Sequence, residues 1–228
     1  MTPKLSSLVH REMLLCLVHD GNVPPATTLA ARLDADVDDV KAAMRELDRD
    51  HGIVLHPGTE DVWVIPPFSL VPTAFWVENA TRGWWAACAW CAFGVSELVE
   101  QAPRIHTRIA GESREIVIEA ASDPLRPAGL VAHFPVPVAR AWDNVHRFCG
   151  STLVFESRED VGPWCERHGQ PHGDVQPLAT VRRLARAWYG GHLAPDWEKW
   201  SCSQAVEIFS SLGLDGPTWQ LATGGAKF

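Results

Sequence analysis

Residues 84–94 read WWAACAWCAFG, which places Cys88 and Cys91 three residues apart in the most apolar, tryptophan-rich stretch of the chain. A third thiol, Cys149, follows in the segment RFCGS. Side chains three residues apart on a helix share one face, so both sulfurs of the pair can point at one site. Thiolates bind soft cations such as Zn(II), Cu(I) and Hg(II). The pattern is compatible with a metal site, a redox pair, a thiol nucleophile or ordinary core packing.

The sequence around the cysteines helps to distinguish these alternatives. We predict a buried helix over residues 83–100, which places Cys88 inside the helix, after the five residues 83–87. A redox pair usually opens a helix that follows a strand, because the helix N-terminus lowers the thiol pKa, so this placement disfavours redox chemistry. A structural zinc site prefers four ligands, and the sequence has no second CxxC motif. Cys149, expected on a loop between a helix and a strand, can reach the pair.

Bulk composition predicts an ordinary globular protein. The chain has 228 residues, 46% hydrophobic and 21% charged, enough to bury a core without crosslinks. Its formal charge of −8 argues against nucleic acid or an anionic membrane as a partner. The first residues, MTPKLSSLVHREMLLCLVHDG, lack the apolar core and cleavage site of a signal peptide. We therefore expect a soluble cytoplasmic protein whose six cysteines are thiols rather than a disulfide framework.

The N-terminal part, residues 1–68, has the pattern of a winged-helix-like module. Apolar residues at helical spacing predict helices over residues 6–20, 28–35 and 37–50, and IVLHPGTEDVWVI predicts a hairpin. The third helix would be the recognition helix of a DNA-binding protein, but its carboxylates outnumber its basic residues. Such a helix repels phosphates, so we predict a structural module and no nucleic-acid partner.

Residues 69–228 predict a second, α+β domain. Besides the helix over 83–100, the sequence predicts a strand at Thr73–Val77, a hairpin in RIHTRIAGESREIVIEA, and strands in LVAHFPVPV and TLVFES. Further helices are expected over residues 139–147, 160–168, 181–189 and 203–212. The fold class is therefore predicted to be α+β, a winged-helix-like module followed by a mixed catalytic domain with a C-terminal helical extension.

Several of these motifs together resemble the organomercurial (alkylmercury) lyases. The resemblance rests on CAWCAFG, PRIHTRI, RPAGL, RFCGS, TLVF and VGPW, covers most of residues 5–170, and is strongest between 73 and 165. It implies an N-terminal winged-helix-like module joined to an α+β catalytic domain, the order predicted above. The stretch Val181–Trp219 looks like an extension that the best-known lyases lack.

The resemblance also implies roles for the thiols. In the family, two cysteine thiolates capture mercury and an aspartate helps to protonate the carbon as the C–Hg bond breaks. Cys88 and Cys149 match the two cysteines, and Cys91 occupies the position of the aspartate. Cys91 is then either the proton donor or a third metal ligand. No cofactor is required; a soft metal ion (Hg, or else Cu or Zn) is substrate, product or ligand.

We also expect the pocket walls to come from the tryptophans nearest the thiols and from one histidine of the following hairpin. These candidate pocket residues are Trp84, Trp85, Trp90 and His106. The predicted function is that of an organomercurial-lyase-like enzyme acting on a small organometallic or thiol-reactive molecule. A three-thiolate metal-binding protein or sensor without turnover, and a thiol-based biosynthetic or redox enzyme on the same scaffold, remain alternatives. The sequence leaves the oligomeric state open.

Overall fold

The computed structural model describes residues 3–221, which fold into the predicted α+β architecture. The helices of this part of the chain are α1 (Leu5–Asp20), α2 (Ala26–Leu33), α3 (Val37–Arg49), α4 (Ala89–Leu98), α5 (Val145–Ser151), α6 (Val161–His168), α7 (Leu178–Tyr189) and α8 (Cys202–Ser211). Two short 3-10 turns lie at Val138–Asp143 and Pro217–Trp219. Every helix of residues 3–221 is too short or too polar to cross a lipid bilayer.

The strands of residues 3–221 form two sheets. They are β1 (Val54–Leu55), β2 (Val62–Ile65), β3 (Phe68–Ser69), β4 (Phe75–Glu78), β5 (Gly83–Ala86), β6 (Arg104–Arg108), β7 (Glu115–Glu119), β8 (Val131–Phe134), β9 (Leu153–Phe155) and β10 (Asp174–Pro177). A seven-stranded sheet has the order β1-β2-β3-β5-β4-β6-β7, and a three-stranded sheet has the order β10-β8-β9. A hydrogen bond from the Ala110 amide to the Val154 carbonyl (2.7 Å) links the two sheets.

The N-terminal elements occur in the predicted order, three helices and then a hairpin. Asp36 begins α3 because its side chain accepts a hydrogen bond from the Asp38 amide, and Gly21 ends α1 with a left-handed φ of +80°. The hairpin β1-β2 continues through β3 into the large sheet. One sheet therefore runs across the predicted domain boundary at residue 68, and the division into two domains stays a prediction.

The region around the CxxC motif differs from the prediction of one helix over 83–100. Residues 83–86 form strand β5, which pairs with β4 and β3, and helix α4 begins only at Ala89. Short apolar runs do not distinguish a buried strand from a buried helix, and here the pairing of residues 83–86 with β4 and β3 makes them a strand. Cys88 is therefore the residue that caps the N-terminus of α4.

The segment around Cys149 also differs from expectation. The predicted helix over 139–147 is replaced by the 3-10 turn at Val138–Asp143 and by α5. The Asn144 side chain accepts a hydrogen bond from the Arg147 amide and so starts a new helix at Val145. Cys149 consequently lies within α5 rather than on a loop, and its position is fixed by helical geometry.

Helices α4 and α7 pack closely against each other in the core. Gly94 makes this possible, because a Cβ atom there would lie 2.4 Å from Cδ2 of Tyr189 and 2.8 Å from Cβ of Pro67. Trp90 of α4 meets the Trp188 ring edge-on with centroids 5.1 Å apart. This contact brings the C-terminal part of the chain directly onto the helix that carries Cys91.

Candidate active site

The three cysteines singled out in the sequence lie together. The Sγ atoms of Cys88, Cys91 and Cys149 are all within 4.8 Å of one another. All three residues are buried, with exposed fractions of 0%, 4% and 8% respectively, and none is in a disulfide. Three sulfurs at this spacing can bind one soft atom together after a small adjustment of their side chains.

Local backbone structure holds the first two sulfurs in place. As the N-cap residue of α4, Cys88 accepts a hydrogen bond at its Sγ from the Cys91 amide (3.4 Å). The Ala89 amide donates to the Thr152 carbonyl (3.4 Å), which ties the start of α4 to the end of the helix that carries Cys149. The pair thus opens a helix directly after a strand, so its position no longer argues against a lowered thiol pKa.

The cluster favours one thiolate among three sulfurs. Hydrogen bonds from Cys149 and then Cys88 hold the pKa of Cys91 well below its ordinary value, with a smaller contribution from Tyr189. Burial raises the pKa of Cys88, and hydrogen bonds to Cys88 and then Cys91 raise the pKa of Cys149. The three thiols titrate as one unit, in which Cys91 is the thiol that loses its proton most readily.

Tyr189, the last residue of α7, completes the cluster. Its hydroxyl lies 3.5 Å from the Cys91 Sγ, and with Cys91 as thiolate the hydroxyl is the donor. Burial first, and the charge of Cys91 second, raise the pKa of Tyr189 well above its ordinary value. The phenol therefore keeps its proton beside the sulfurs.

The cluster opens into a cavity of about 730 Å³, a volume that includes its mouth. The lining is mainly aromatic, and among the described residues that form it Tyr189 supplies the only hydroxyl and no carboxylate occurs. The rings are those of Trp90, Trp142, Phe148, Trp188, Tyr189, Trp197 and Trp200. Such walls exclude water and accommodate an apolar group.

Of the predicted pocket residues, only Trp90 lines this cavity. Trp84 points the other way and donates a hydrogen bond from its Nε1 to the Leu17 carbonyl of α1 (2.7 Å). Trp85 packs edge-on against Trp76, and His106 contacts Glu78 (3.0 Å) at the surface of the large sheet. Trp84 and Trp85 face opposite sides of the large sheet, because successive strand residues alternate.

The cavity includes residues that the sequence did not suggest. His10 comes from α1, His51 follows α3, and His192, Trp197 and Lys199 follow α7. Rings join these segments: His10 stacks on Trp197 with centroids 4.5 Å apart, and His192 lies 4.3 Å from the same ring. The N-terminal helices and the C-terminal stretch thus close one cavity around sulfurs that lie between them in sequence. The only sign in the sequence that these residues could line a cavity is the aromatic composition of the segment ARAWYGGHL.

The fold and the site define an α+β protein with a buried three-thiol centre suited to a soft atom. A sequence model of the alkylmercury lyases (MerB) matches residues 68–190, more than half of the chain. The chain therefore belongs to the alkylmercury lyase family. The matched range includes α7, so the part of the chain beyond the family match begins after residue 190 rather than at Val181.

A solved structure has a similar fold. It is described as "Crystal structure of the mercury-bound form of MerB2", and it superimposes with a TM-score of 0.62 at 19% sequence identity. The similarity covers 84% of this chain and 90% of that chain. At this identity the likeness concerns the fold. A search of curated proteins finds no match to the sequence.

Proposed function

We propose that the protein cleaves the carbon–mercury bond of small organomercurials by thiolate capture and protonolysis. The observation that carries this proposal is the cluster of three buried sulfurs, within 4.8 Å of one another, at the end of an aromatic cavity. Membership of the alkylmercury lyase family supports the reaction class. The aspartate expected of the family is replaced by Cys91, so the proton must come from another group.

Mercury capture begins at the charged sulfur. The Cys91 thiolate bonds to mercury in R–Hg–X and displaces X⁻. A neighbouring thiol, Cys149 or Cys88, then bonds to mercury and gives up its proton. The electron pair of the C–Hg bond takes a proton, which yields R–H and a neutral bis-thiolate mercury complex. Charge and atoms balance, since one thiolate and one thiol are consumed for each X⁻ and each R–H released.

Proton delivery is the step in which this chain departs from the family pattern. We assign Cys91 the role of mercury ligand, because its neighbours stabilise the thiolate. The Tyr189 hydroxyl, 3.5 Å from Cys91 Sγ, is the atom that can relay a proton from the second thiol to the carbon. General acid catalysis requires only hydrogen-bond reach and a group that is protonated before the step. A third sulfur beside the product can hold mercury after the bond has broken.

The aromatic cavity supplies the site for the organic group. Trp90 and Phe148 lie on the helices that carry Cys91 and Cys149, so an apolar group bound to mercury at the sulfurs would contact both rings. Exclusion of water from this cavity strengthens the charge interactions at the sulfurs.

A thiol-redox enzyme is the second candidate, favoured by one observation. Cys88 caps a helix that directly follows a strand, the arrangement typical of redox-active CxxC motifs. Such an enzyme would cycle between the dithiol and a disulfide of Cys88 with Cys91 or Cys149. A three-thiolate trap, which binds mercury, copper or zinc without breaking a carbon bond, is the third.

Phenylmercury distinguishes the three functions. The reduced protein is mixed with a slight excess of phenylmercuric acetate, and benzene released and mercury retained are measured beside Cys88→Ser and Cys91→Asp variants. Cys202→Ser serves as the background, since this partly exposed thiol would itself bind mercury. Release of more than one benzene per protein molecule, abolished by Cys88→Ser, supports the lyase.

Mercury that is retained without release of benzene indicates a three-thiolate trap. If the Cys91→Asp variant then releases benzene, Cys91 has replaced a proton donor. A stable Cys88 disulfide formed without metal binding points to redox chemistry.

A further inference from the structure

Cys149 borders a second cavity besides the aromatic one. This second cavity has a volume of about 1,030 Å³, again including its mouth. It lies between the segment 71–75, strand β2 and helix α5. Its walls include Asn144, His146 and Gly150, all exposed to solvent. Its lining is more polar than that of the aromatic cavity.

The two cavities are adjacent and share part of their walls. Val64, Ala87, Val145 and Cys149 belong to the walls of both. Cys88 and Cys91 line only the aromatic cavity. Cys149 is also the most exposed of the three cysteines, at 8%. A mercury atom held by the cluster is thus reachable from the second cavity at its Cys149 side alone.

We propose that the second cavity is the route by which a low-molecular-weight thiol removes mercury from the protein. This inference shares one assumption with the proposed function, namely that the three-sulfur cluster holds mercury. The aromatic cavity then serves the organic group and the second cavity serves the metal. The incoming thiol bonds to mercury from the Cys149 side and displaces the Cys149 sulfur first.

The exchange is balanced without any oxidant or reductant. Two molecules of thiol, RSH, react with the bis-thiolate complex; two Hg–S bonds to the protein break and two Hg–S bonds to RS⁻ form. The two protons of RSH return to the cysteine sulfurs, which leaves Hg(SR)₂ and the reduced protein. The mouth of the second cavity, with Asn144 and His146, suits the polar, charged substituents that water-soluble thiols carry.

Gly150 provides a direct way to narrow this route. It lies in α5, is exposed, and a Cβ atom there would meet no other atom within 4 Å. Gly150→Ala, Gly150→Leu and Gly150→Phe therefore add side chains of increasing size at the wall of the second cavity without a clash at the Cβ atom. Gly162 of α6 is the matched control, because it is also helical, lines neither cavity, and its Cβ atom would meet only His172 Cε1 at 3.8 Å.

The experiment loads each variant, in the Cys202→Ser background, with one equivalent of mercuric chloride. Free cysteine or glutathione is added, and the mercury that remains on the protein is measured over time after desalting. We expect release to slow from alanine to leucine to phenylalanine, by about tenfold for Gly150→Phe, which corresponds to about 1.4 kcal/mol of barrier. The decrease in the rate of mercury release should be larger with glutathione than with the smaller cysteine.

The opposite outcomes are equally clear. Equal release rates in Gly150→Phe and Gly162→Phe, or a loss that is independent of thiol size, would overturn the proposed route. A first turnover of benzene from phenylmercury that slows as much as mercury release would also overturn it, since the cavities would then share one task. If the parent protein releases no benzene, the proposed lyase function fails while the exchange of inorganic mercury still decides this inference. Gly150→Leu decides it if Gly150→Phe does not fold.

Discussion

Tyr189 packs so closely on Gly94 that a Cβ atom at position 94 would lie 2.4 Å from the Cδ2 atom of the tyrosine ring. The same ring carries the hydroxyl that lies 3.5 Å from Cys91 Sγ. The closeness of α4 and α7 therefore sets the distance between the phenol and the sulfur cluster. Gly94, which has no reactive side chain, thus positions the Tyr189 hydroxyl, to which we assign proton relay.

Gly94→Ala should disturb both stability and the site. The added methyl group has no room, and overpacking of a filled core costs about 1–3 kcal/mol. We expect a lower urea midpoint and, because the Tyr189 ring must move, slower benzene release from phenylmercury. Gly162→Ala, whose new Cβ atom meets only an ordinary contact at 3.8 Å, is the control. A Gly94→Ala protein as stable and as active as the control would contradict the packing argument.

Tyr189→Phe should separate mercury capture from carbon protonation. The variant keeps the ring that packs on Gly94 and removes only the hydroxyl, so folding is preserved. We expect benzene release to slow by about a hundredfold, the lower end of what general acid catalysis contributes, while one mercury per cluster is still bound. Single-turnover benzene release measured by gas chromatography checks this. A rate equal to that of the parent would show that a cluster thiol protonates the carbon directly.

Cys149→Ser should weaken mercury retention more than any change at a thiol outside the cluster. The serine oxygen is a poor ligand for a soft cation, and it leaves only Cys88 and Cys91 to hold the metal. Cys165→Ser is the matched control, because Cys165 is also buried but belongs to a separate contact with His133 (3.7 Å). Competition for mercury with a chelating dithiol, in the Cys202→Ser background, measures the difference. Equal retention by both variants would remove Cys149 from the ligand set.

Two buried histidines should make the fold sensitive to mild acid. Burial, and then the nearby charge of Lys199, lowers the pKa of His10 to about 3. Burial, then His10 and Lys199, lowers the pKa of His192 well below its ordinary value. Below pH 6.5 the unfolded chain takes up protons that the folded chain does not bind. The contribution of the two neutral, buried histidines to the free energy of unfolding is therefore complete above pH 6.5. It is lost progressively as the pH falls from 6.5 towards 3.

The measurement is the free energy of unfolding in urea at several pH values between about 7.5 and about 4. This range begins above the ordinary pKa of histidine and ends well below it. Each histidine should contribute a slope of up to about 1.4 kcal/mol per pH unit. The double variant with His10→Phe and His192→Phe should show a shallower decline than the parent. His19→Gln, at an exposed position on α1, is the control. Identical slopes in the parent and the double variant would exclude these two histidines as the cause.

Much of the fold is encoded locally, and the sequence therefore predicts it. The helical spacing of apolar residues located α1 and α3 almost to their ends, and Asp36 marked the start of α3. The hairpin β6-β7 follows from its β-branched residues and turn. Two predicted helices were wrong. The helix over 83–100 was wrong because the apolar run WWAA satisfies both a buried strand and a buried helix, and the helix over 139–147 is replaced by a 3-10 turn and α5.

The candidate site divides along the same line. The sequence by itself determined the three thiols, since residue type and the motif around each cysteine are enough to match them to positions of this family. Tertiary structure alone decided what surrounds them. Tyr189 reaches Cys91 across 98 residues, and His10 meets Trp197 from the opposite end of the chain. Such contacts depend on how α4 packs on α7 and on which face of β5 is buried, and neither is set by local spacing. Trp84 and Trp85 thus lie outside the cavity, and apart from Trp90 its rings come from parts of the chain that are distant from the CxxC motif.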